Sequence, residues 1–98
     1  MPEIIAVGDL DRTQNKFYIE YSAKTLNDCI IRFNDDVGNG GWVSARGSML
    51  RALMEIFLES GLDCSDFIGK IHYGEKEYDR MSVSKIIRIE GDKIVQIH

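Results

Sequence analysis

Thr25-Leu26-Asn27-Asp28-Cys29-Ile30-Ile31-Arg32-Phe33-Asn34-Asp35-Asp36-Val37 carries two hydrophobic periods at once, and the architecture turns on which of them wins. Leu26, Cys29, Ile30, Phe33 and Val37 fall at i, i+3, i+4, i+7 and i+11, the spacing of one helix face. Thr25 has the form of an N-cap, and Asp28 would sit in the positive first turn. Against this, Asn27, Asp28, Cys29, Ile30, Ile31, Phe33 and Asn34 are mediocre helix formers. Cys29, Ile31 and Phe33 also alternate with Ile30, Arg32 and Asn34, which is the period of a strand. Weighed on propensity, the alternation governs and predicts a strand at about 28–34. Its partner is a second predicted strand over 16–22, where Lys16-Phe17-Tyr18-Ile19-Glu20-Tyr21 is rich in aromatic and β-branched residues.

Working outward, residues 3–7 read as a first strand, and residues 8–14 are polar and turn-like. Asp35-Asp36-Val37-Gly38-Asn39-Gly40-Gly41 is the strongest turn signal in the chain, and Trp42-Val43-Ser44 follows as a short strand. Residues 46–60 predict an amphipathic helix with Met49, Leu50, Leu53, Met54 and Phe57 on one stripe, stopped by Gly61. Phe67 to Tyr73 reads as strand, with a short helix opened by Ser65-Asp66 as the alternative, Gly74-Glu75-Lys76 as a turn into Glu77-Tyr78, and 83–98 as a hairpin turning at Gly91-Asp92. The expected fold is α+β: a mostly antiparallel sheet of five to seven short strands with one helix, about 46–60, packed on one face.

The chain has 98 residues and a formal net charge of −4, which predicts one domain, residues 1–98, of modest stability. No apolar run is long enough to span a bilayer, so no membrane association is expected. The two cysteines, Cys29 and Cys64, are too few for a disulfide framework and point to free thiols in a cytoplasmic protein, with one bridge between them as the alternative. Residues 55–79 hold seven acids and two bases, a local balance of −5. That field repels phosphate backbones, so no direct nucleic-acid binding is expected, while a basic protein surface would be attracted.

Four constellations bear on chemistry. Pro2 would be an N-terminal secondary amine if Met1 is removed, and Met-Pro-Glu-Ile-Ile resembles the start of the tautomerase superfamily, whose catalytic group is that proline. The family follows its first strand with a long helix, where this chain reads as turn and strand, and its active-site arginine has no clear match here. Gly40, Gly41, Ser44, Arg46, Ser48 and Arg51 form a glycine-rich entry to the predicted helix, a place that welcomes anions. Arg46-Gly47-Ser48-Met49-Leu50-Arg51 resembles the acyl-CoA loop of acetyltransferases, but Met49 and Arg51 stand where that loop has glycines. An arginine at a helix N-terminus is unfavourable alone and becomes reasonable beside an anion or a carboxylate. Asp63, Cys64, Asp66 and His72 have no metal-ligand spacing, so no metal or other cofactor is assigned. The aromatics, Tyr73 and Tyr78 included, read mostly as core, with Trp42 beside Arg46 as the exception.

No catalytic set emerges, and the sequence favours a non-catalytic role. The leading expectation is a small acidic inhibitor that occupies the basic, nucleic-acid-binding surface of a protein partner. Immunity proteins, antitoxin-like inhibitors and phage anti-defence proteins such as anti-CRISPRs share this physics. Trp42, Arg46, Glu55, Glu59, Asp63, Asp66, Glu75, Glu77 and Asp79 are its candidate contacts. The alternatives are an anion, nucleotide or acyl-CoA domain at Gly38 to Arg51, and a homodimer formed through the C-terminal hairpin.

Overall fold

The computed structural model describes residues 3–5, 15–38 and 44–97. Pro2, Gly40, Gly41, Trp42 and the expected strand at 42–44 short of Ser44 lie outside them. The elements run β1 (Glu3–Ile5), α1 (Lys16–Ser22), α2 (Leu26–Asp36), α3 (Ser44–Glu59), β2 (Ile68–Tyr73), β3 (Lys76–Ser82), β4 (Ile87–Glu90) and β5 (Lys93–Gln96).

The expected hairpin of 16–22 with 28–34 is overturned, since both segments are helices. Local chemistry explains α2. Thr25 Oγ1 accepts from Asp28 N at 3.1 Å, and Asp28 Oδ2 accepts from Thr25 N at 3.4 Å. This reciprocal capping box satisfies two backbone donors that a helix start otherwise leaves open. The helical stripe then wins on burial: Cys29, Ile30 and Phe33 are buried, while Ile31, which the strand pattern placed beside Cys29 and Phe33, is 57% exposed.

α1 is held in the same manner. Asn15 Oδ1 accepts from Phe17 N at 3.0 Å and Tyr18 N at 3.4 Å, while its Nδ2 donates to Ser48 O at 3.1 Å. One buried amide therefore caps α1 and fastens it to α3. Phe17 and Tyr21, one helical turn apart, pack against the core. A helix of seven residues has too few internal bonds to stand alone, so this docking overrides the aromatic residues' preference for a strand.

α3 is the helix expected at 46–60. Its buried residues, Met49, Leu50, Ala52, Leu53, Met54 and Phe57, sweep roughly 200° at ~100° per residue, wider than the stripe of a surface helix. The reason is that α3 is flanked by α1 and α2 and also meets β1. Gly61, with φ +83°, ends it in the left-handed conformation expected there.

The strands form two antiparallel sheets, not one of five to seven: a three-stranded sheet ordered β1-β3-β2 and a two-stranded sheet β4-β5. Phe33 of α2, Phe57 of α3 and Phe67 before β2 meet as three edge-to-face pairs, with centroids 5.9–6.0 Å apart. Met81, Val83, Ile87 and Ile94 complete the core from the strand side.

Removing one ring leaves a cavity the other two cannot fill. Phe57→Ala is expected to cost about 3–5 kcal/mol of unfolding free energy. Thr25→Ala, which removes only the cap, is expected to cost about 1 kcal/mol. Urea unfolding followed by circular dichroism checks both.

Candidate binding surface

Only the first rung of the β2–β3 hairpin enters the core: Ile68 pairs with Met81, and both are buried. From Gly69 to Arg80 every residue is exposed or half-buried, so the hairpin leaves the core as a two-stranded ribbon. Gly74, the first of two loop residues, has φ +63°, the sign that a II′ hairpin turn requires.

Alternation gives the ribbon two unlike faces. One carries Lys70 opposite Asp79 and His72 opposite Glu77. Lys70 Nζ lies 2.7 Å from Asp79 Oδ1 and 3.6 Å from Glu77 Oε1, and His72 Nε2 lies 3.7 Å from Glu77 Oε2. The hydrogen bond and charge of Asp79 push the Lys70 amine up, with Glu77 adding to the effect. Exposed pairs of this kind contribute little stability, but they favour this register over a slipped one. The other face carries Gly69, Ile71 and Tyr73 against Arg80, Tyr78 and Lys76. The Tyr73 and Tyr78 rings sit 6.0 Å apart, and Tyr73 is 56% exposed, so the expectation that these tyrosines are core is corrected.

The acids expected as partner contacts divide by what they touch. Glu75 is exposed at the ribbon turn, and Glu77 and Asp79 lie along one ribbon face. Asp63 and Asp66 bond backbone instead: Asp63 Oδ1 accepts from Ser65 N at 2.9 Å and Asp66 Oδ2 from Gln96 N at 2.7 Å. Hydrogen bonds from Ser65 hold the Asp63 carboxyl below the ordinary range, and Lys93 adds to this. On α3, Glu55 is half-buried, and exposed Glu59 accepts from Tyr18 Oη at 2.6 Å.

Arg46 has its carboxylate. Its Nε donates to Asp36 Oδ1 at 3.2 Å and Oδ2 at 2.9 Å, and its Nη2 lies 2.8 Å from Oδ2, with the two side chains 10% and 5% exposed. Each charge alone opposes the dipole of its own helix, Asp36 at the end of α2 and Arg46 at the start of α3, and the pair cancels both. A cleft of about 190 Å³ beside it is lined by Phe17, Arg32, Asp36, Ala45, Arg46 and Met49. Of the other expected anion contacts, Ser48 gives its carbonyl to Asn15 and Arg51 is half-buried.

Cys29 and Cys64 are free and buried. Cys64 Sγ donates to Phe57 O at 3.3 Å, and Cys29 Sγ to Tyr21 O at 3.5 Å. Burial pushes both thiols up, and the neighbouring charges of Asp28 and Asp63 add to the shifts. Among the described residues no group of three or more His, Cys, Asp or Glu side chains is placed to hold a metal ion, and no helix is long and apolar enough to cross a membrane.

Comparison with protein-family models, curated proteins and solved structures finds no match to this chain.

Two predictions arise from the buried groups. Arg46→Met or Asp36→Leu alone strands a buried charge and is expected to cost about 3–5 kcal/mol, whereas the double variant recovers most of that loss. A double-mutant cycle by urea denaturation measures this. The thiol shifts carry a sign. A thiol with a raised folded pKa stabilises fully below its unfolded pKa and loses that stabilisation as pH rises through the folded value. Unfolding free energy is therefore expected to fall above the ordinary thiol range, and the fall should shrink in Cys29→Ser/Cys64→Ser.

Proposed function

We propose that this chain is a small non-catalytic binding protein, an inhibitor that occupies a basic, nucleic-acid-binding surface of a protein partner. Immunity and anti-defence proteins work in this way. The observation that carries the reading is the ribbon, which presents Glu75, Glu77 and Asp79 together with an exposed Tyr73. A ribbon that contributes one buried rung to the core is poorly explained by stability alone. The ribbon's end offers an aromatic anchor on one face, acids on the other, and Glu75 at the turn between them, so a partner gripping the end meets both. The acids steer the encounter with a basic partner, and the tyrosine supplies desolvated contact area. Two free, buried thiols fit a reducing cytoplasm.

A fluorescent arginine-rich peptide serves as the probe of a basic surface. Its affinity, read by anisotropy, is expected to fall at least tenfold on raising salt from about 50 to about 300 mM. The triple variant Glu75→Gln/Glu77→Gln/Asp79→Asn is expected to lose at least tenfold at low salt, and Glu20→Gln/Asp35→Asn is expected to bind like the parent. Undiminished binding by the triple variant, or binding indifferent to salt, contradicts the reading.

A further inference from the structure

The two sheets treat their edges differently. In the β4–β5 sheet, outward backbone groups are engaged at three positions. Asn34 Nδ2 donates to Ile87 O at 2.9 Å while Asn34 Oδ1 accepts from Ile87 N at 2.8 Å. Ile94 N donates to Asp63 O at 2.9 Å, and Gln96 N donates to Asp66 Oδ2 at 2.7 Å.

β2 is one of the two edge strands of the other sheet, β1 being the other. Its two-residue loop makes Tyr73 and Lys76 a hydrogen-bonded pair, so alternation turns the backbone groups of Ile68, Lys70 and His72 away from β3. Ile68 N is taken by Cys64 O at 2.9 Å. No described residue bonds the outward N–H and C=O of Lys70 or His72.

A second observation concerns shape. A cleft of about 240 Å³ runs along this edge, lined by Ser65, Asp66, Phe67, Gly69, Ile71 and Arg80 among others. A Cβ placed on Gly69 would meet no atom within 4 Å. The bare backbone is thus open to a side chain arriving from a neighbouring strand. Tyr73, on the same face of β2 as Gly69 and 56% exposed, is a side chain of that kind.

We propose that β2 pairs antiparallel with β2 of a second copy of this chain, about a two-fold axis at Ile71. Two conditions fix the register. Outward-facing residues must oppose one another, which pairs Lys70 with His72 of the second copy and His72 with its Lys70, making four backbone hydrogen bonds. An aromatic ring must also meet the cleft, and among the registers that satisfy the first condition only this one places each Tyr73 opposite the other copy's Gly69. An aromatic ring covering a cross-strand glycine is a favourable sheet pair. The two Ile71 side chains meet at the axis in a non-hydrogen-bonded pair. On the opposite face Lys70 and His72 each stand beside an acid of their own copy, Asp79 and Glu77. The product is a continuous six-stranded sheet, β1-β3-β2-β2-β3-β1. Two rungs bury well under the ~1,000 Å² of a tight interface, so the dimer is concentration-dependent. This inference rests on the edge and the Gly69 face and shares Tyr73 with the surface proposed above; Gly69→Val, which leaves Tyr73 and the acids in place, separates the two.

Analytical ultracentrifugation of the full chain over about 10 µM to about 1 mM is expected to show a monomer–dimer equilibrium. Gly69→Val is the decisive variant. The position has no positive φ and has open space, so the variant is expected to fold with an unchanged or raised Tm. It fills the slot, and it is expected to stay monomeric throughout. Tyr73→Ala is expected to weaken association at least tenfold. Ile71→Cys, whose Cα atoms would lie ~4.5 Å apart at the axis, is expected to form a disulfide-linked dimer on mild oxidation. Lys70→Cys and the parent chain are expected to form none. A parent chain monomeric at every concentration, a dimer that survives Gly69→Val, or cross-linking of Lys70→Cys as ready as that of Ile71→Cys overturns the proposal.

Discussion

Three phenylalanine rings set the geometry on which everything else hangs. Phe33, Phe57 and Phe67 come from two helices and the approach to β2, and each ring presents an edge to a neighbour's face at 5.9–6.0 Å. Such contacts are directional, so they fix how α2 is rotated as well as where it lies. With Phe33 pointing into the triangle, Asn34 is carried to the backbone of Ile87 and Asp36 to the guanidinium of Arg46. One rotation of one helix thus closes an edge of the small sheet and neutralises the start of α3. Were residues 28–34 a strand, Asn34 and Asp36 would share a face with each other and not with these partners.

The residues that fold this way were partly readable beforehand. α3, the β4–β5 hairpin and β2 with the turn after it announce themselves, because Gly61, Gly74 and Gly91 punctuate periodic runs and all three adopt positive φ. α1 and α2 are hidden in the sequence because their residues' intrinsic propensities run against the local hydrogen bonding that decides them. Thr25 and Asp28 were visible as a cap, and Asn15 stood before α1 with a side chain suited to the same task. Propensity is a weak term once a capped segment can bury Cys29, Ile30 and Phe33 on one side.

The surface was less legible, since sequence shows a charge but not what consumes it. The run from Glu55 to Asp79 looks like one acidic field. In the fold, Asp63 and Asp66 serve backbone donors, Glu77 and Asp79 stand beside Lys70, and Glu75 sits at the turn. Arg46 looked like half of an anion site, and its partner turned out to be ten residues upstream. Tyr73 and Tyr78 were read as core because aromatics usually are. The countersignal was the charge at every second position, Lys70, His72, Glu77 and Asp79, which marks a strand pair with little room for a buried face.

The resulting molecule has one small sheet whose outward groups at Ile87, Ile94 and Gln96 are met by Asn34, Asp63 and Asp66, and one whose edge at Lys70 and His72 is left available. Natural sheets commonly blunt an unused edge, so an open one beside a glycine slot and an exposed tyrosine is where function is expected to concentrate. Amide hydrogen exchange of the dilute protein, read residue by residue by NMR, tests this contrast directly. The account predicts slow exchange at Ile87, Ile94 and Gln96 and exchange orders of magnitude faster at Lys70 and His72. Equal protection at both sets of amides in the dilute monomer would contradict it.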